Sequence, residues 1–233
     1  MSSNFEIPTS KYTSILGPKL DKLPNQDEAI ELFQIWKKEH ERVYSDLEVT
    51  AKKFGIFVTN LKYITESNAK RVSSHSVLLG LTNFADLSFM EFNETYMTMN
   101  TDTVDIVKDE IISNSANSDI DSYYLVDRTE RGLLAVVAKQ PLSVSIYAKS
   151  PEFQLYTSGI FRGDDCPVDS LEVTHGMLIV GYDSIEGEDY WIVKNSYGEK
   201  WGMHGYMYIK RNTGKKYGVA AINAWAIDIV KNK

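Results

Sequence analysis

The sequence predicts an α+β chain in two unlike parts, a helical first half and a β-rich second half. Three observations carry this expectation. Residues 26–68 place apolar side chains at steps of three and four. Residues 142–230 hold short runs rich in β-branched and aromatic residues, parted by Gly- and Asp-rich turns. Between the halves, residues 99–122 are polar, acidic and rich in Ser and Asn, as expected of a linker.

Residues 1–24 form an N-terminal tail with no basic start and no continuous apolar core, so no signal peptide is visible. Residues 25–98 make one helical unit. The stretch 26–44 carries Ile30, Phe33, Trp36, Val43 and Tyr44; the stretch 46–68 carries Leu47, Ala51, Phe54, Phe57, Leu61 and Ile64. Asn25 with Glu28, Ser45 with Glu48 and Ser88 with Glu91 each fit a capping box, in which two side chains satisfy the free amides of a first helical turn. A third, shorter helix is expected from Ser88, and residues 77–86 form a strand or an extended arm.

Residues 123–233 make the β-rich unit. Asp127 with Glu130 is read as the cap of one helix, 128–139. The runs 142–148, 177–182, 189–195, 205–211 and 224–230 are read as strands of a small antiparallel barrel or curled sheet.

Composition excludes several classes of function. With 25 Lys and Arg against 32 Asp and Glu, the net charge is -7, which argues against nucleic-acid binding. No run approaches the roughly 18 apolar residues that span a bilayer. Cys166 is the one cysteine, so no intramolecular disulfide and no multi-cysteine zinc site is available. The four histidines make no metal-binding pair, and no phosphate-binding glycine loop is present. No metal or cofactor is expected.

Two segments of the second half invite a chemical reading. In THGMLIVGY (174–182), His175 opens an apolar strand. In YWIVKNSYGEKWGMHGY (190–206), Asn195 closes a strand before a Gly/Trp-rich turn. An amide oxygen can hold one imidazole nitrogen and so fix the ring's tautomer and orientation. On spacing alone, a histidine ahead of an apolar strand is more often a satisfied structural residue.

These segments resemble a known family. KNSYGEKWG is similar to the KNSWGxxWG signature around the catalytic Asn of papain-like cysteine peptidases, and THGMLIVGY to the segment around their catalytic His. In the first half, Phe57, Asn60, Ile64 and Asn68 resemble the interspersed pattern of the family's inhibitory prosegment, with Lys53 in its Arg position. Gly80, Thr82, Phe84 and Asp86 resemble its G-x-N-x-F-x-D motif. The resemblance is nearest to a plant seed subgroup of thiol-protease-like proteins, some of which lack the active cysteine.

The resemblance implies a cathepsin-type prosegment at 25–98 and the right lobe of the papain-like fold at 123–233. It implies His175 as general acid/base and Asn195 as its orienter, with Tyr197 in the place of a Trp that shields their bond. It also implies that the prosegment rests on residues 153–161, and that the chain occurs in a vacuole, a lysosome or outside the cell. Expected partners are peptide or protein substrates, or active papain-like peptidases bound through the prosegment.

The left lobe, which carries the nucleophilic Cys in the family, has no counterpart here. Cys166 lies in GDDCPVDS, where Asp164 and Asp165 should raise its pKa, and is not expected to be a nucleophile. By resemblance it is the remnant of a disulfide whose other half is now Ala220. The expectation is therefore a papain-family homologue that is inactive as a peptidase, or alternatively an inhibitor acting through its prosegment. A further motif, Asn93-Glu94-Thr95, is a glycosylation sequon.

Overall fold

The computed structural model describes residues 20–99 and 122–230. Helix α1 spans Gln26–Glu39 and begins at a reciprocal cap: Asn25 Oδ1 accepts from Glu28 N at 3.0 Å and Glu28 Oε2 accepts from Asn25 N at 2.8 Å. It ends sooner than the apolar spacing suggests. His40 caps it, and Glu41 adopts a left-handed φ of 53°, which turns the chain off the helix axis. Ala29, Leu32, Phe33 and Trp36 form the buried face, whereas Ile30 and Val43, expected on it, are exposed.

Helix α2 spans Leu47–Asn68. Its cap is Asp46, one residue beyond the expected Ser45. Asp46 Oδ1 accepts from Val49 N at 2.8 Å, and the Ser45 hydroxyl donates to the other carboxylate oxygen. A carboxylate is the stronger acceptor beside the positive end of a helix. The apolar stripe is fully buried only at Phe57, Leu61 and Ile64; Leu47 and Ala51, in the first turns, are exposed.

Two asparagines of α2 then clip the following arm. Asn60 Nδ2 donates to the carbonyls of Ala85 and Leu87, both at 2.9 Å. Asn68 donates to Leu79 O and accepts from Leu79 N, each at 2.9 Å. The arm itself is a two-residue strand, β1 (Leu78–Leu79), before α3 (Phe89–Tyr96), whose Ser88–Glu91 capping box is formed as expected. Asn93 of the sequon lies half-buried within α3, its side-chain oxygen enclosed.

The second half is an open seven-stranded sheet rather than a barrel. Its strands are β2 (Ser122–Leu125), β3 (Leu142–Ile146), β5 (Ile160–Phe161), β6 (His175–Ile185), β7 (Glu188–Lys194), β8 (Tyr206–Lys210) and β9 (Trp225–Val230). They lie in the order β2-β9-β3-β6-β7-β8-β5, antiparallel throughout except where β5 joins β8 in parallel. Ser122 therefore belongs to a strand and not to the linker, the remainder of which lies outside the described residues apart from Met99. Helix α4 (Glu130–Val137) is shorter than expected and is capped by Thr129, which accepts from Gly132 N at 3.0 Å, rather than by Asp127.

Residues 151–158 supply the junction. A short helix α5 (Pro151–Gln154) leads into β4 (Tyr156–Ser158), which pairs antiparallel with β1 of the helical half. The expected rest for the first half, residues 153–161, is thus occupied by it. The Thr157 hydroxyl donates to Leu78 O at 2.7 Å, Gly80 N to Leu155 O at 3.0 Å and Ile160 N to His75 O at 2.9 Å.

The cap assignment at α2 is testable. Asp46→Ala should destabilise the folded chain by about 1 kcal/mol, whereas Ser45→Ala should change little. Urea unfolding of both variants measures this; equal losses would return the cap to Ser45.

Candidate active site

His175 and Asn195 come together through strand pairing. His175 opens β6 and Asn195 follows the last residue of β7, its antiparallel neighbour. A β-bulge between Ile179 and Gly181 shifts the register along this pair. Asn195 N donates to Gly205 O at 2.8 Å across the turn that leads to β8. That turn needs glycine at position 202, where φ is 62° and a Cβ would collide with the Tyr206 carbonyl.

The geometry fixes the chemistry of the pair. His175 Nε2 lies 2.8 Å from Asn195 Oδ1. The same oxygen accepts from Ser196 N at 2.8 Å. Because a backbone N–H can only donate, the oxygen of the amide must face this corner, and Nε2 must carry a proton to meet it. Nε2 therefore carries a proton, and in the neutral ring this is the Nε2–H tautomer, which leaves Nδ1 with a lone pair. Burial depresses the pKa of His175, with the Asn195 hydrogen bond pulling the other way. Burial thus favours the neutral ring, whose Nδ1 can accept a proton.

Aromatic rings enclose the pair. Tyr197 stacks on His175 at 4.9 Å between ring centroids, and Phe153 meets the imidazole edge-on at 5.8 Å. Trp201 closes on both Tyr197 and Phe153, and its Nε1 donates to Phe153 O at 3.1 Å. The outer wall comes from the first half: Phe84, Phe92 and Tyr96 pack against Tyr197 at 5.0, 6.1 and 5.5 Å. Thr174, the residue before His175, donates to Met97 Sδ at 3.7 Å. Sequence reasoning singled out Tyr197 but missed this wall; only the motif residue Phe84 carried any signal of it.

Cys166 is not part of this arrangement. It is buried in the core cluster with Val219 and Ala220, and its thiol points to Asp165 Oδ1 at 3.9 Å. Burial first, and then the charges of Asp165 and Glu152, push its pKa up to about 12, with Lys215 opposing them. His175 is not among the groups that act on it. Glu152 shares this acidic corner and is itself pushed up to about 7 by burial and by Asp165 and Asp164.

Comparison with known proteins agrees with this architecture. Residues 86–227 match the family described as papain family cysteine protease, and residues 33–92 match the cathepsin propeptide inhibitor domain. The chain is 28% identical to the P34 probable thiol protease of Glycine max, with 97% of this chain and 89% of that protein covered. It is 29% identical to the cysteine protease XCP2 of Arabidopsis thaliana, with 100% and 95% covered. Both alignments run over 344 residues, whereas the chain has 233, so each passes over a long block of the relative that has no counterpart here. The fold is similar to that of a recombinant stem bromelain precursor, with a TM-score of 0.72, 21% identity, and 89% of this chain and 100% of that one covered.

Two measurements check this site. The Tyr197 hydroxyl is buried with no hydrogen-bond partner, so Tyr197→Phe should stabilise the protein by about 1 kcal/mol, read as a higher urea midpoint; a lower midpoint would mean that the hydroxyl has a partner. The depressed His175 pKa means that the unfolded chain takes up the proton first. Its contribution to stability is therefore complete above about 6.5 and is lost as pH falls toward the lower folded value. A nitrogen-15 NMR titration of the His175 ring should give a midpoint below 6.5, and a midpoint above that value would reverse the sign.

Proposed function

The chain belongs to the papain family of cysteine proteases, and on that premise we propose that it is a catalytically silent member, which retains the proton-handling pair of the family site without a nucleophile. Residues 25–98 are its prosegment, the linker that follows ends before Ser122 of β2, and the right lobe runs on from there. His175 holds the general acid/base position and Asn195 orients it.

The observation that carries this reading is the His175 ring held at Nε2 by Asn195, while the one thiol of the sequence, Cys166, lies apart in a buried corner beside Asp165. Acyl transfer in this family needs a thiolate to attack the peptide carbonyl and a histidine to take and return the proton. Cys166 cannot fill the first role: it is buried, protonated at any working pH, and surrounded by Asp165 and Glu152 where an activated thiol needs a neighbouring cation. A base with nothing to deprotonate leaves only binding effects, several orders of magnitude below a complete site.

The same reading puts the chain where the family works, in a vacuole, a lysosome or outside the cell, among peptide and protein substrates that it would meet without cutting. Action as an inhibitor of active papain-like peptidases is less favoured. The arm that would dock on such a partner, residues 75–87, already bonds to residues 154–160 of its own chain.

Hydrolysis of a fluorogenic dipeptide amide, followed from pH 4 to 8, tests the proposal. The expected rate is that of buffer alone, and it should not change in His175→Ala. Turnover that is lost in His175→Ala would overturn it.

A further inference from the structure

The two halves share their cores. Phe84, Phe92 and Met97 of the helical half are buried in one cluster with Ile179, Trp191 and Met207 of the sheet. Leu155 of the β-rich half is buried in the other direction, in a cluster with Trp36, Phe57 and Leu61. Removing an inhibitor that merely covers a cleft leaves two complete cores behind. Here separation would bare large apolar side chains on both pieces.

The polar contacts are crossed in the same way. Gln154, nearly wholly buried, donates through Nε2 to Phe84 O at 3.0 Å and Leu87 O at 2.9 Å. The Thr82 hydroxyl returns a bond to Gln154 O at 3.1 Å. Lys200, within the segment that follows Asn195, donates to Glu39 O at the end of α1 at 2.6 Å. Each of these bonds would have to be exchanged for water on separation.

We propose that residues 20–99 are a permanent second lobe of this protein rather than a removable inhibitor, and that cutting the chain between the halves does not release them. The helical half then supplies the partner surface that the sheet lacks, and the His175–Asn195 pair stays under Phe84, Phe92 and Tyr96 whether or not the connection is intact. Cleavage of the linker is accordingly not an activation step. The inference rests on the interlocked cores and stands whether or not the chain turns over peptide.

Mild acid does not undo the contact. The titratable groups along it are His40, beside Lys200 and Arg42; His75, paired with Glu186; and Glu152, beside Asp164 and Asp165 and faced by Tyr63. His40 is held down to about 4, first by burial and then by Lys200 and Arg42, and so stays neutral at pH 5. Protonating Glu152 removes a charge from an acidic corner.

A site for a sequence-specific protease inserted between residues 100 and 121 tests this. After complete cutting, the two pieces should elute from a sizing column as one 1:1 species at pH 7 and at pH 5. Separate elution at either pH, or loss of one piece to aggregation while the other stays in solution, overturns the proposal. The uncut protein gives an independent reading. With Trp36→Phe, the remaining tryptophans report on the sheet half and far-ultraviolet circular dichroism reports mainly on the helices. Coincident urea midpoints are expected, and loss of the helical signal ahead of the fluorescence contradicts the claim.

Discussion

Leu155 belongs by chain position to the β-rich half but packs among the helices, while Phe84 and Phe92 cross the other way into the core beneath the sheet. This exchange is the constraint on which the rest of the structure depends. The pairing of β1 with β4 holds the two backbones side by side at this crossing. The exchange also puts the end of α3 over β6, so that Met97 and Met99 pack beside Thr174 and Gly176. The aromatic wall around His175 is a consequence of that placement.

The site shows what a protein retains when one component of a reaction is missing. Asn195 Oδ1 is held by Ser196 N and in turn holds His175, a local arrangement that depends only on the β6–β7 pair and its following turn. Nothing in it requires a thiol. Imidazole and amide can therefore keep their geometry for structural reasons, since each satisfies a buried polar group of the other. The nucleophile stands on a different footing, because its pKa must be lowered by surroundings built for that purpose. Cys166 has the opposite surroundings: its own burial first, and then the charges of Asp165 and Glu152, keep it protonated.

Much of this was legible in the sequence. The helical and β-rich halves and the Asn25 and Ser88 capping boxes follow from local signals, periodicity and capping chemistry, whereas the pairing of His175 with Asn195 rests on the resemblance of their segments to a known family. The misreadings have physical causes. Val43 continued the apolar spacing of α1, but the left-handed turn at Glu41 breaks the helix, and no residue type announces that turn. At α2, Ser45 and Asp46 are both good caps, and the carboxylate prevailed. Between the barrel and the curled sheet that the strand spacing left open, the structure has a sheet, because closure depends on which edges meet. The packing of Phe92 and Tyr96 against Tyr197 spans about a hundred residues of chain, and no local pattern encodes it.

The account turns on the claim that no cysteine in the folded chain can attack. Native protein treated at pH 6 with a peptidyl epoxide, the class of reagent that alkylates activated thiols of this family, and then measured by intact mass, tests it most directly. The account predicts an unchanged mass for the folded protein and alkylation of Cys166 by a simple thiol reagent only after unfolding. A single epoxide adduct on the folded protein, mapped to Cys166, would contradict it.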